Sequence, residues 1–152
     1  QAKYYLELNM NYSTNPSIQG SRITYSSYAS KKFATALFKS YSEVTGIVAF
    51  GNASSGNIAG VSAVSRYNNL DSSPVIRESG GRILSAGTIS DLAITENSAF
   101  NSKEIQGLQT VSLDMIFISN EADANFYTNN LRTLAKAIAQ GFSKYLDLEM
   151  PS

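Results

Sequence analysis

The chain contains no histidine and no cysteine, so any chemistry it performs must come from carboxylates, hydroxyls and lysines. Histidine is the commonest general base near neutral pH and the commonest zinc ligand. Its absence, with that of cysteine, excludes Ser-His-Asp and Cys-His constellations and leaves carboxylates alone to build a zinc site. The most suggestive acid is Asp114 in SLDMIFISNEADANFY (112–127), where it precedes the apolar run Met115–Ile118. An acid at one end of a buried strand is placed to face a pocket. Glu7, in YYLEL, stands near the end of another predicted strand. Two carboxylates separated by roughly 5–9 Å can hydrolyse glycosides, so Glu7 and Asp114 form the one carboxylate pair worth testing. The alternative is that both are structural strand-end acids. A Ser-Lys pairing at Ser30 and Lys31 fails because neighbours on a helix do not face each other. GNASSGNIAG (51–60) has glycines whose amides can cradle anions, yet it lacks the lysine and hydroxyl of a phosphate loop and reads as a surface turn. RESGGRI (77–83) reads as a hairpin with an ion pair at its rim.

A length of 152 residues and 43% hydrophobic content fit one globular domain. Twelve basic and twelve acidic residues cancel, so no net field draws nucleic acid or anionic lipid. No stretch approaches the roughly 18 apolar residues that span a bilayer. Abundant Ser, Asn and Tyr with only 16% charge is a flavour of exported bacterial proteins. A start at Gln1 rather than Met reads as a processed or excised segment.

The elements that would position these residues follow from periodicity. Residues 4–8 alternate as a strand, 9–20 carry loop residues, and RITYSS (22–27) predicts a second short strand. From Ser30, a plausible N-cap, Phe33, Leu37, Tyr41 and Val44 keep helical spacing to a stop at Gly46. IVAF (47–50) is a short apolar segment. VSAVSRY (61–67) alternates like a strand, NNLDSSP (68–74) reads as a loop, RESGGRILSAG as a turn into a strand, and DLAITENS (91–98) as another strand. A strand over 111–118 and a helical turn across 121–127 precede a long helix. That helix carries Leu131, Leu134, Ala135, Ile138, Phe142 and Tyr145 on one predicted face, with Asn129 or Asn130 at its start. Helices following strands predict an α/β fold, a mixed, mostly parallel sheet flanked by helices.

The C-terminal third, LDMIFISNEADANFYTNNLRTLAKAIAQGFSKYL, resembles the end of the zinc-dependent N-acetylmuramoyl-L-alanine amidases. These enzymes cleave the bond between the sugar and the stem peptide of peptidoglycan. DMIFISN, NEADANFY and LAKAIAQGFSKYL follow the family's closing strand, acidic turn and last helix in order. YLELNMN, GSRITYSS and SKKFATALFKSYSEVTG resemble its earlier strand, loop and helix. The resemblance covers 4–46 and about 91–148, and implies an insertion around 51–90 in a single amidase-like domain, 1–152, without the family's first strand–helix–strand region.

The departures carry as much information. The resemblance implies that the last metal histidine falls on Asn9 and the catalytic glutamate on Asp114, one methylene shorter. A displacement of about 1 Å can lower a rate on the order of 100-fold, and without a metal there is no activated water. The expectation is a catalytically inactive amidase-like domain of a bacterial cell-envelope or spore protein, with Asn9, Asn11 and Asp114 lining a ligand groove. It needs no cofactor; zinc is expected only if an upstream region supplies ligands. Partners would be peptidoglycan or an envelope protein, with homo- or hetero-oligomers formed through an open sheet edge. The alternatives are a fragment of an active amidase and a structural surface or adhesin module.

Overall fold

The computed structural model describes residues 2–26, 30–54, 56–67, 70–73, 76 and 108–149. The expected hairpin at 77–83 and the expected strands at RILSAG and DLAITENS lie outside them. The elements are β1 (Tyr4–Asn11), β2 (Arg22–Tyr25), α1 (Lys31–Thr45), β3 (Val61–Ala63), β4 (Arg66–Tyr67), β5 (Leu70–Asp71), β6 (Gln109–Phe117), α2 (Glu121–Asn129) and α3 (Leu131–Leu146). Four strands form the main sheet in the order β1-β6-β2-β3. β1 runs parallel to β6, β6 antiparallel to β2, and β2 parallel to β3. The sheet is thus mixed and mostly parallel, as the order of elements predicts.

Strand alternation sorts this sheet into two faces. Ile23, Tyr25, Val111, Leu113 and Met115 share a core with Phe33, Leu37, Phe38 and Tyr41 of α1 and with Leu134, Ala137 and Tyr145 of α3. Tyr4 reaches the same core, with its ring 5.3 Å from Phe33 and 6.0 Å from both Phe142 and Tyr145. The buried Tyr41 hydroxyl donates to the Met115 carbonyl at 2.8 Å, fixing α1 against β6. Burial, then the nearby Asp123 and Tyr127, push the Tyr41 phenol well above its usual range, so it stays a neutral donor.

α1 ends as its sequence predicts. Gly46 adopts φ 71 and its N–H bonds the Ser42 carbonyl, the left-handed cap that glycine accepts without a Cβ clash. Four of the six residues on the predicted face of α3, Leu134, Ile138, Phe142 and Tyr145, lie in the core or pack against it. Leu134 and Tyr145 are buried, but so are Ala137 and Gly141, while Leu131 is 55% exposed and Ala135 faces solvent. The reason is close helix contact. A Cβ on Gly141 would lie 2.9 Å from the Leu37 Cα, so α1 docks on the small residues of α3 as well as on Phe142 and Tyr145, whose rings meet Phe33.

Two further expectations change. β1 continues to Asn11, so Asn9 and Asn11 are strand residues rather than loop. Part of NNLDSSP pairs with β4 as a two-stranded ribbon. Val61–Ala63 is a strand, as the alternation of VSAVSRY predicts; it joins the main sheet inside the stretch that the resemblance gives as an insertion, and Val61 is only 2% exposed.

Candidate functional site: a polar grid on the sheet

β6 is the inner strand between β1 and β2, and its burial is nearly complete. Only Ser112 and Asp114 are partly open among its nine residues. Both lie on the sheet face opposite the helical core. Asp114 is an interior residue of β6 and Glu7 an interior residue of β1, not strand-end acids as expected. Both strands extend further than their apolar runs, because paired polar positions such as Gln109 and Asn9 continue the ladder.

The register builds two rows of side chains. Asn9, Asp114 and Arg22 face one another across β1, β6 and β2; Glu7, Ser112 and Thr24 form the adjoining row. Arg22 Nε donates to Asp114 Oδ2 at 2.7 Å, and Asn11 Nδ2 donates to the same oxygen at 3.3 Å. Asn11 reaches back because the β1–β6 register shifts between Asn9 and Asn11. Asn9 Nδ2 donates to Glu7 Oε1 at 2.6 Å and to Ser112 Oγ at 3.0 Å. Asn9, Asn11 and Asp114 therefore do converge, but Glu7 and Asp114 are each bound to different partners. Glu7 Oε2 is buried without a hydrogen-bond partner among the described residues. The Arg22 guanidinium also packs over Phe50, 5.8 Å from the ring centroid, a distance at which cation–π attraction operates. The ion pair is partly exposed, 41% at Arg22 and 18% at Asp114, so its value lies more in fixing geometry than in stability.

A buried carboxylate holds the strand ends that carry this grid. Asp123, 7% exposed, accepts from the Gly20 N–H at 2.8 Å and the Phe117 N–H at 2.9 Å through one oxygen. Asn120 caps α2 by accepting from the Asp123 N–H and also donates to the Pro16 carbonyl at 2.8 Å. Gly20 has φ 112, and a Cβ there would meet the Val48 carbonyl at 2.6 Å. That close approach lets Ser21 exchange backbone bonds with Val48 and Phe50, which sets Phe50 beside Arg22. Arg22, Ser112, Phe50 and Asp123 were not foreseen as site residues. The available signal was that Arg22 and Thr24 share one phase of RITY, but that phase meets Asp114 only once the antiparallel pairing is known.

No protein-family model matches the chain, and neither does any curated protein sequence. Solved structures do match, and the fold they define is that of the catalytic domains of N-acetylmuramoyl-L-alanine amidases, a peptidoglycan hydrolase fold. One is the catalytic domain of CwlV, the amidase from Bacillus (Paenibacillus) polymyxa var. colistinus, with TM-score 0.59 and 19% identity over 97% of this chain and 60% of that one. Another is the CwlD amidase of Clostridioides difficile, solved in complex with the GerS lipoprotein. It has TM-score 0.60 and 15% identity over 97% of this chain and 56% of that one. A third is Ami1 of Mycobacterium smegmatis, with TM-score 0.56 and 16% identity over 95% of this chain and 54% of that one. The chain thus spans a little over half the length of these structures, and at such identities the likeness is one of fold. No helix among the described residues is long and apolar enough to cross a membrane.

The grid does not fit zinc. Asn9 offers a neutral amide, and Asp114 already carries the Arg22 cation, which would repel a dication beside it. Among the described residues no group of three or more acids is placed to hold a metal.

Proposed function

We propose that this chain is a catalytically inactive amidase-like domain of a bacterial cell-envelope protein that binds peptidoglycan or an envelope protein without hydrolysing it. The observation that carries this reading is Asp114. It stands where the resemblance implies the catalytic glutamate, yet its Oδ2 is engaged by Arg22 and Asn11. Asn9, where the resemblance implies a zinc histidine, is engaged by Glu7 and Ser112. A carboxylate neutralised by a guanidinium is a poor general base, and an amide is a poor zinc ligand. What remains is a set of fixed hydrogen-bonding groups on a rigid sheet, the ingredients of a binding surface.

Partner binding is supported by the sheet edge. Among the described residues β1 pairs only with β6, leaving its other side unpaired, and Tyr5, Leu8 and Met10 along it are exposed. An open edge with apolar side chains is a template for an added strand. Retention on purified peptidoglycan after a salt wash, without release of stem peptide, is the expected result. Release of stem peptide by a zinc-loaded sample would overturn the reading.

One observation favours a second reading, a fragment of an active amidase: the chain spans only 54–60% of the three structures named above. A longer protein containing this chain would then bind zinc stoichiometrically.

A further inference from the structure

We infer that the groove on the β3 side of Arg22 is a carboxylate-binding subsite, which places the peptide rather than the glycan of a peptidoglycan ligand on this edge of the sheet. The inference rests on the binding function proposed above and names the part of the ligand that the site takes. Only Nε of Arg22 is committed to Asp114; the terminal amino groups have no hydrogen bond among the described residues. Arg22 lines a groove together with Phe50, Gly51, Asn52, Gly60, Val61 and Ser62. A guanidinium whose Nε is anchored presents its remaining N–H groups as a fork of fixed direction, which matches the two oxygens of a carboxylate. The centroid of the Phe50 ring lies 5.8 Å from the guanidinium carbon, and Asn52 and Ser62 add neutral polar groups to the lining.

Charge decides between oxyanions. Arg22 and Asp114 sum to zero, so a monoanionic carboxylate leaves one net negative charge at the site where a phosphate dianion leaves two. Glu7 lies on β1, two strand spacings or about 10 Å across the sheet from Arg22 on β2, so its charge opposes a dianion more than a monoanion.

Calorimetry with N-acetyl-L-alanyl-D-glutamate, its diamide, and an N-acetylglucosamine oligomer tests this, alongside retention on purified peptidoglycan. The dicarboxylate is expected to bind at least about ten-fold more tightly than the diamide, the effect of one charge-assisted pair. Arg22→Gln should lose that preference, Arg22→Lys should keep part of it, and Asp114→Asn should bind no more weakly than the parent chain. Circular dichroism confirms that each variant is folded. Equal binding of acid and diamide by the parent overturns the inference, as does an Asp114→Asn loss equal to that of Arg22→Gln, which would make the pair one structural unit. Displacement of the peptide by inorganic phosphate at equal concentration overturns it too. Retention on peptidoglycan with binding only to the sugar oligomer rejects the peptide subsite and leaves the proposed function standing; no retention and no peptide binding rejects both.

Discussion

Asp114 shows how a residue's meaning depends on what meets it. Its presence near an apolar strand was legible from sequence, and so was the proximity of Asn9 and Asn11 through the resemblance. Arg22 was not, because a cross-strand partner 92 residues away leaves no local trace. With Arg22 in place, restoring the longer acid gains nothing: Asp114→Glu is expected to release no stem peptide from peptidoglycan with or without added zinc, checked by chromatography of the soluble products. Asp123 is the residue on which the grid's placement depends. Asp123→Ala removes one oxygen shared by two buried N–H groups and should cost about 3 kcal/mol, as loss of charge-assisted bonds does, read from urea unfolding. Tyr41 gives a pH signature. Its phenol is raised above the ordinary value of 10.0 in the folded state, so unfolded chains release the proton first as pH rises. Its contribution is complete below about pH 10 and declines above it. Tyr41→Phe should flatten the fall in stability above pH 10 in alkaline melts, while losing about 1 kcal/mol at neutral pH with the bond to Met115.

At the scale of elements, periodicity located α1, α3 and β6 and most of the side chains that their core takes. The apolar stripe of α3 read from spacing also includes Leu131 and Ala135, which are exposed, and omits Ala137 and Gly141, which are buried. Hydrophobicity marks which side chains avoid water, but the approach of two helix backbones depends on the smallest residues, which carry little hydrophobic signal. Gly141→Val should therefore destabilise by about 2–3 kcal/mol through overpacking against Leu37, seen as a lower urea midpoint at unchanged m. The alternation of VSAVSRY marked β3 as a strand, but its place in the main sheet is fixed by pairing with β2, which leaves no local trace. The exposed side of β1 is predicted to tolerate charge. Leu8→Lys should change stability by less than about 0.5 kcal/mol yet weaken any association through that edge, measured by sedimentation across a concentration series.

For the whole molecule, the fold was the most legible part, since strand and helix order and one C-terminal pattern both pointed to an α/β sheet of the amidase kind. The proposal of inactivity starts from the residue types the chain lacks. The described sheet combines that fold with a guanidinium on the acid and amides beside it, the arrangement on which the proposed binding function rests. The most direct test incubates the chain, and any longer protein containing it, with purified peptidoglycan and excess zinc, then measures bound protein, bound zinc and released stem peptide together. Retention with neither stoichiometric zinc nor released peptide is the predicted result. Stoichiometric zinc accompanied by peptide release would contradict the account.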